Sequence, residues 1–119
     1  MNIGVSGKFG EDTAAEYLRK KGYKIVRRNF SCRSGEIDII AENDEFLVFA
    51  EVKLRKNDRY GEAKEFVNYS KQQKIIRTAS LYLSRYETEK QPRFDVIEVY
   101  APNGILSPVK IHHLENAFM

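Results

Sequence analysis

The sequence predicts an α/β domain in which helices cover a central mixed sheet. Three observations carry this expectation. Two segments repeat apolar residues at helical spacing, five short segments are rich in β-branched and aromatic residues, and one of those five is apolar on both faces. The order is αβββαβ with a trailing C-terminal strand, and residues 1–119 are expected to form a single domain.

From about Lys8 to Lys20, Ala14, Ala15, Tyr17 and Leu18 recur at helical spacing, and Gly22 follows as a stop signal. Tyr23–Phe30 reads as the first strand, and Ser31–Gly35 as a turn or loop. Gly35–Glu42 reads as the second strand. Asn43-Asp44 is a turn dipeptide, so Glu45–Leu54 returns as a third strand and closes a hairpin. A polar stretch after Leu54 reads as an exposed loop. Ile75, Ile76, Ala79, Tyr82 and Leu83 give a clean helical stripe from about Ser70 to Tyr86. Arg93–Ala101 is the fourth strand, Asn103-Gly104 a turn, and Ser107–Glu115 the fifth strand.

Composition narrows the function classes. The apolar share of 42% is globular and excludes a disordered chain. The net charge of +3 is a weak bias, compatible with nucleic acid without demanding it. Its distribution is sharper: Arg27, Arg28, Arg33, Lys53, Arg55, Lys56 and Arg59 crowd one stretch, followed by Lys64, Lys71, Lys74 and Arg77. The alternative is a solvated charged face. Cys32 is the only cysteine, which excludes an internal disulfide or a cysteine-based zinc site and fits a reducing compartment. The first residues lack an apolar run after a basic start, and no apolar run approaches a membrane span. The expected location is the cytoplasm, with no membrane partner.

Two strands carry charge among apolar neighbours. Glu36, Asp38 and Ile40 alternate with Ile37, Ile39 and Ala41; Leu47, Phe49, Glu51 and Lys53 alternate with Phe46, Val48, Ala50 and Val52. A strand apolar on both faces belongs in the middle of a sheet. With Asn43-Asp44 as the turn, Glu42 faces Glu45, Asp38 faces Phe49 and Glu36 faces Glu51. Asp38, Glu51 and Lys53 then share a face, with Asp38 and Glu51 diagonal at roughly 7–8 Å between Cα atoms. Two carboxylates at that separation can converge on one hard divalent cation, Mg²⁺ or Mn²⁺. Lys53 can then orient water or offset charge on a phosphoryl group. The competing reading is a structural ion pair at a sheet end. Glu11 lies at the edge of the first helix's inward stripe and is either a site carboxylate or a residue favoured by the helix dipole. Glu36 reads as structural. His112 and His113, adjacent on a strand, point to opposite faces and read as ordinary residues. Tyr17 and Tyr82 read as core-edge aromatics, Tyr60 as the best candidate for stacking on a base, and Cys32 as inert.

Gly35–Asp38 (GEID) followed by Glu51–Lys53 (EVK) resembles the PD-(D/E)-x-K nuclease signature. The whole chain resembles the YraN family of uncharacterised bacterial proteins. The matching stretches are GKFGEDTA at 7–14, RRNF at 27–30, GEIDII at 35–40, FAEVKLR at 49–55, YSKQQKIIRTASLYL at 69–83, RFDVIEV at 93–99 and ENAF at 115–118. The family is similar in pattern to archaeal Holliday-junction resolvases, which implies a restriction-endonuclease-like fold. By that resemblance Asp38 and Glu51 would be metal ligands, Lys53 the catalytic lysine, and Glu11 the helix glutamate that completes the site. Lys71 would hold a DNA phosphate, on one phosphate-tracking surface with Arg55, Lys56, Arg59 and Lys74. A homodimer, with one site for each strand, follows only by analogy. Three functions stay open: a metal-dependent DNA nuclease acting on branched or damaged structures, a non-catalytic nucleic-acid-binding module, and a protein-interaction domain.

Overall fold

The structure, a computed structural model, describes residues 7–55, 67–101 and 109–119. The element order is α1 (Gly7–Lys20), β1 (Lys24–Cys32), β2 (Gly35–Glu42), β3 (Phe46–Arg55), α2 (Tyr69–Arg85), β4 (Gln91–Tyr100) and β5 (Lys110–Phe118). The five strands form one sheet in the order β1-β2-β3-β4-β5. β3 and β4 run parallel, on either side of α2 in the chain, and the other neighbours are antiparallel. The sheet is therefore mixed, with β3 at its centre, as the two-faced apolarity of that strand requires. The expected turn at Asn103-Gly104 and the start of the fifth strand at Ser107-Pro108 lie outside the described residues.

Each helix covers one face. Ala14, Ala15 and Leu18 of α1 pack on Ile39, Ala41, Val48, Ala50, Ile97 and Val99. Ile75, Ala79 and Tyr82 of α2 pack on Phe30, Ile37, Ile40, Leu47, Phe49 and Val96. Edge-on ring contacts of Tyr82 with Phe30 and Phe49 fix how α2 sits on the sheet. Gly22 ends α1 with φ +96°; its N–H donates to Arg19 O at 3.0 Å and Tyr23 N–H donates to Leu18 O at 2.9 Å. This paired closure needs a left-handed residue, which glycine supplies at least cost. Among the described residues, no helix is long and apolar enough to cross a membrane.

Two sequence expectations are corrected. The Ser31–Gly35 loop shrinks to a two-residue connection, because Ser31 and Cys32 belong to β1 and Cys32 pairs with Gly35. The β2–β3 connection is longer than a two-residue turn: Glu42 pairs with Leu47, and Ile40, not Asp38, pairs with Phe49. The cause is Asn43. Its Oδ1 accepts from Glu45 N–H at 3.0 Å and Phe46 N–H at 2.7 Å, and its own N–H donates to Phe46 O at 3.1 Å. This side-chain-closed turn absorbs Glu45. The slip is two residues, so every side chain of the paired stretch, Ile39–Glu42 with Leu47–Ala50, keeps its face.

Candidate active site

The site forms where β2 leaves β3. Their pairing ends at Ile39 and Ala50, whereas β1 and β2 stay paired to Cys32 and Gly35. At the point of separation the Asp38 carboxylate replaces the missing strand partner: Oδ2 accepts from Val52 N–H at 2.8 Å. The alternation along β2 also reverses here. Ile39 packs under α1, but Ile37 joins the cluster under α2, contrary to the expectation that both point the same way. On β1, Arg28 pairs with Ile39 and reaches α1, while Phe30 pairs with Ile37 and packs under α2. Between them Asn29 adopts the left-handed conformation at φ +54°, which asparagine tolerates better than most residues. Asp38 lies at the crossing point of this local twist.

Asp38 and Glu51 meet in a pocket of about 410 Å³, whose walls include Glu36, Ser70, Lys71 and Lys74. Burial, then the charge of Glu51, pushes the Asp38 carboxyl up to about 7, against the pull of the Val52 N–H bond; a hydrogen bond shared with Glu51 and the more distant charge of Glu11 add to the rise. Glu51 is only 4% exposed. Its Oε2 lies 2.8 Å from Lys71 Nζ and 3.8 Å from Lys53 Nζ. The hydrogen bond to Glu51 raises the Lys71 ammonium above its ordinary range. A larger hollow of about 670 Å³, near the end of α2 and the start of β4, is lined by Glu87, Glu89 and Lys90 with no buried charge among them.

Lys71 reaches Glu51 because α2 starts where it does. Asn68 caps the helix, its Oδ1 accepting from Lys71 N–H at 2.9 Å, so Lys71 sits in the first turn. Lys74 follows one turn later at the pocket wall, and Tyr69, the first residue of α2, is 74% exposed. Tyr60, Lys56 and Arg59 lie outside the described residues.

The fold therefore gathers Asp38, Glu51 and Lys53, as the strand pattern implied, and adds Lys71 as a direct partner of Glu51. Glu11 stands nearby but is engaged by Arg28 at 3.5 Å, which also holds Asp12 at 2.7 Å. Glu36 is exposed at the rim. Arg55 is not a free phosphate clamp. Its Nη2 and Nε donate to Glu98 Oε2 at 3.1 and 3.3 Å.

Two carboxylates that sequence reasoning passed over anchor networks of their own. Glu98, 2% exposed, holds Arg55 and lies 2.9 Å from His112 Nδ1. Asp95, fully buried, lies 2.7 Å from His113 Nε2 and accepts from Arg93 and from Asn116 N–H. Burial opposes the Asp95 charge, but these hydrogen bonds outweigh it and hold the carboxyl below its ordinary range. Tyr17 OH lies 3.0 Å from His113 Nδ1, and Arg93 donates to Tyr23 OH at 2.7 Å. The two histidines do point to opposite faces. The available signal was acidic residues spaced within the apolar run Arg93–Tyr100, the same signal that marked Asp38 and Glu51.

Among the described residues, no three His, Cys, Asp or Glu side chains gather as a ready-made metal cage. The donor set still fits a hard cation. Two carboxylates repel each other in a partly buried pocket, and Mg²⁺ is commonly held by one or two carboxylates, with water and substrate phosphate completing its shell.

A profile of the uncharacterised protein family UPF0102 matches residues 10–99. The chain belongs to this family. Its UPF0102 relatives include a protein of Caldanaerobacter subterraneus, 47% identical over 99% of this chain and 98% of its own length. A UPF0102 protein of Thermodesulfovibrio yellowstonii is 46% identical over 94% of each chain, and one of Clostridioides difficile is 44% identical over 99% of this chain and all of its own length. This is the family whose motifs were read from the sequence under the name YraN. The UPF0102 description carries no activity, so function is argued from the site.

Proposed function

We propose that this UPF0102 protein is a divalent-cation-dependent nuclease that hydrolyses DNA phosphodiester bonds on branched or damaged structures. The observation that carries the reading is the meeting of Asp38 and Glu51 in a pocket flanked by Lys53, Lys71 and Lys74. Asp38 and Glu51 would hold Mg²⁺ or Mn²⁺, which when bound polarises a phosphoryl oxygen and lowers the pKa of water. Val52 N–H fixes the Asp38 carboxylate, so one of the two ligands is oriented before any ligand arrives. Lys53 stands on the same sheet face as Glu51, with its ammonium outside direct carboxylate contact and close enough to offset charge that grows on the phosphoryl oxygens. Lys71 and Lys74 supply positive charge at the mouth for the flanking backbone, and the exposed Tyr69 ring offers a stacking surface. The lone cysteine suits the reducing cytoplasm. Cutting both strands of a duplex would call on two such sites, as in a homodimer.

One observation favours the second reading, a non-catalytic nucleic-acid-binding module: Lys71 already neutralises Glu51 from within the protein. The test is single-turnover cleavage with Mn²⁺ of duplex, single-stranded, flap and four-way DNA, alongside binding measured in Ca²⁺. Cleavage of at least one substrate by the wild type, lost in Glu51→Gln, is the expected result. Salt-sensitive binding to the whole panel with no cleavage of any member would favour the module.

A further inference from the structure

We propose that Lys71 is an exchangeable counter-ion, released from Glu51 when a divalent cation binds and transferred to a substrate phosphate, so that cation and nucleic acid bind with positive cooperativity. The inference rests on the metal-dependent reading above. A carboxylate as buried as Glu51 needs a compensating charge. The fold supplies one from a side chain that is itself 48% exposed, with Nζ at 2.8 Å. Lys53 is less exposed and stands farther off, at 3.8 Å, on the strand that carries Glu51. Lys71 is therefore the partner that can leave: its long side chain starts on the first turn of α2, at the mouth of the pocket, and swings into solvent without disturbing the backbone. The Asn68 cap is made by the Lys71 backbone N–H and survives that motion.

A divalent cation beside Asp38 and Glu51 changes the balance. Two carboxylates would then face a double positive charge as well as Lys71 and Lys53, and the exposed ammonium is repelled most cheaply. Once released, it would stay at a pocket wall that also carries Ser70 and Lys74. A phosphate there gains a cationic partner, and a site with two protein carboxylates leaves cation positions for that phosphate's oxygens. Without nucleic acid, the cation must displace Lys71 with nothing to receive it. With nucleic acid, the displaced ammonium acquires a partner. Such coupling is reciprocal.

The probe is Mn²⁺ itself, titrated by calorimetry into wild type, Lys71→Met and Lys71→Arg, with and without a short DNA duplex in excess. Lys71→Met is expected to bind Mn²⁺ about tenfold more tightly than wild type when DNA is absent, and Lys71→Arg to resemble wild type. Duplex should tighten Mn²⁺ binding to wild type by about 5–150-fold, the usual range of coupling between sites, and tighten that to Lys71→Met by a factor at least about fivefold smaller, the remainder coming from phosphate oxygens on the cation. Melting in excess Mn²⁺ gives a second readout, with a larger rise for Lys71→Met than for wild type. Equal or weaker Mn²⁺ binding to Lys71→Met, or a duplex that leaves wild-type affinity unchanged, would overturn the exchange while leaving the metal site intact. Failure of Mn²⁺ to bind any of the three proteins would instead overturn the site reading, and the exchange with it.

Discussion

Lys53→Ala is expected to slow single-turnover cleavage by about 10²–10³-fold, the range for loss of one preorganised electrostatic group, while leaving Mn²⁺ and DNA affinity almost unchanged. The basis is position. Lys53 Nζ lies 3.8 Å from Glu51 Oε2, too far for the close ion pair that Lys71 makes and unsuited as a cation ligand. A group that meets charge only as it develops in the transition state changes the chemical step and not binding. Lys53→Arg is expected to restore only part of the rate, because a planar guanidinium does not reproduce a compact ammonium. The lysines thus separate by readout: Lys53 variants alter rate, and Lys71 variants alter cation affinity. Cleavage by Lys53→Ala at the wild-type rate would assign the activity elsewhere.

Asp38→Asn is expected to stabilise the protein in chelator at neutral and alkaline pH, by about 1–2 kcal/mol. In the folded chain burial and Glu51 push the Asp38 carboxyl up to about 7, against an ordinary value of 3.8. The folded state therefore binds the proton more tightly than the unfolded state. Asp38's contribution to stability falls as pH rises from about 4 to about 7, and its full penalty is present above 7. Asparagine removes the charge but keeps an oxygen that accepts the Val52 N–H bond. The gain, read as a rise of several degrees in Tm, should shrink as pH approaches 4, where Asp38 is protonated in both states. A loss of stability at pH 8 would instead support a structural ion pair.

The element order was legible because each segment has one dominant period: a 3.6-residue stripe in α2, and apolar runs with turn residues around β2, β3 and β4. The grouping of Asp38, Glu51 and Lys53 survived an incorrect register because the two-residue slip at Asn43 keeps the faces of the paired stretch, and because Val52 N–H holds Asp38 where that pairing ends. A one-residue slip would have exchanged the faces of Ile39 and Ile40. The twist at Asn29 was not legible, since its left-handed backbone is set by how β1 joins two differently facing halves. Nor was the Lys71–Glu51 pair, which depends on where α2 docks across the sheet. The chain pattern gave Lys71 only a positive charge near the start of a helix. The Arg55–Glu98 pair was hidden for the same reason: Glu98 lies on a neighbouring strand, 43 residues away in sequence.

If Asp38 and Glu51 form one divalent-cation site, both carboxylates are needed to hold the ion. Calorimetric titration of Mn²⁺ into wild type, Asp38→Asn and Glu51→Gln, with melting curves in chelator to establish that each variant is folded, tests it most directly. Saturable binding of one ion per chain by wild type, lost in both folded variants, is the predicted result. Binding that persists unchanged in both would contradict it.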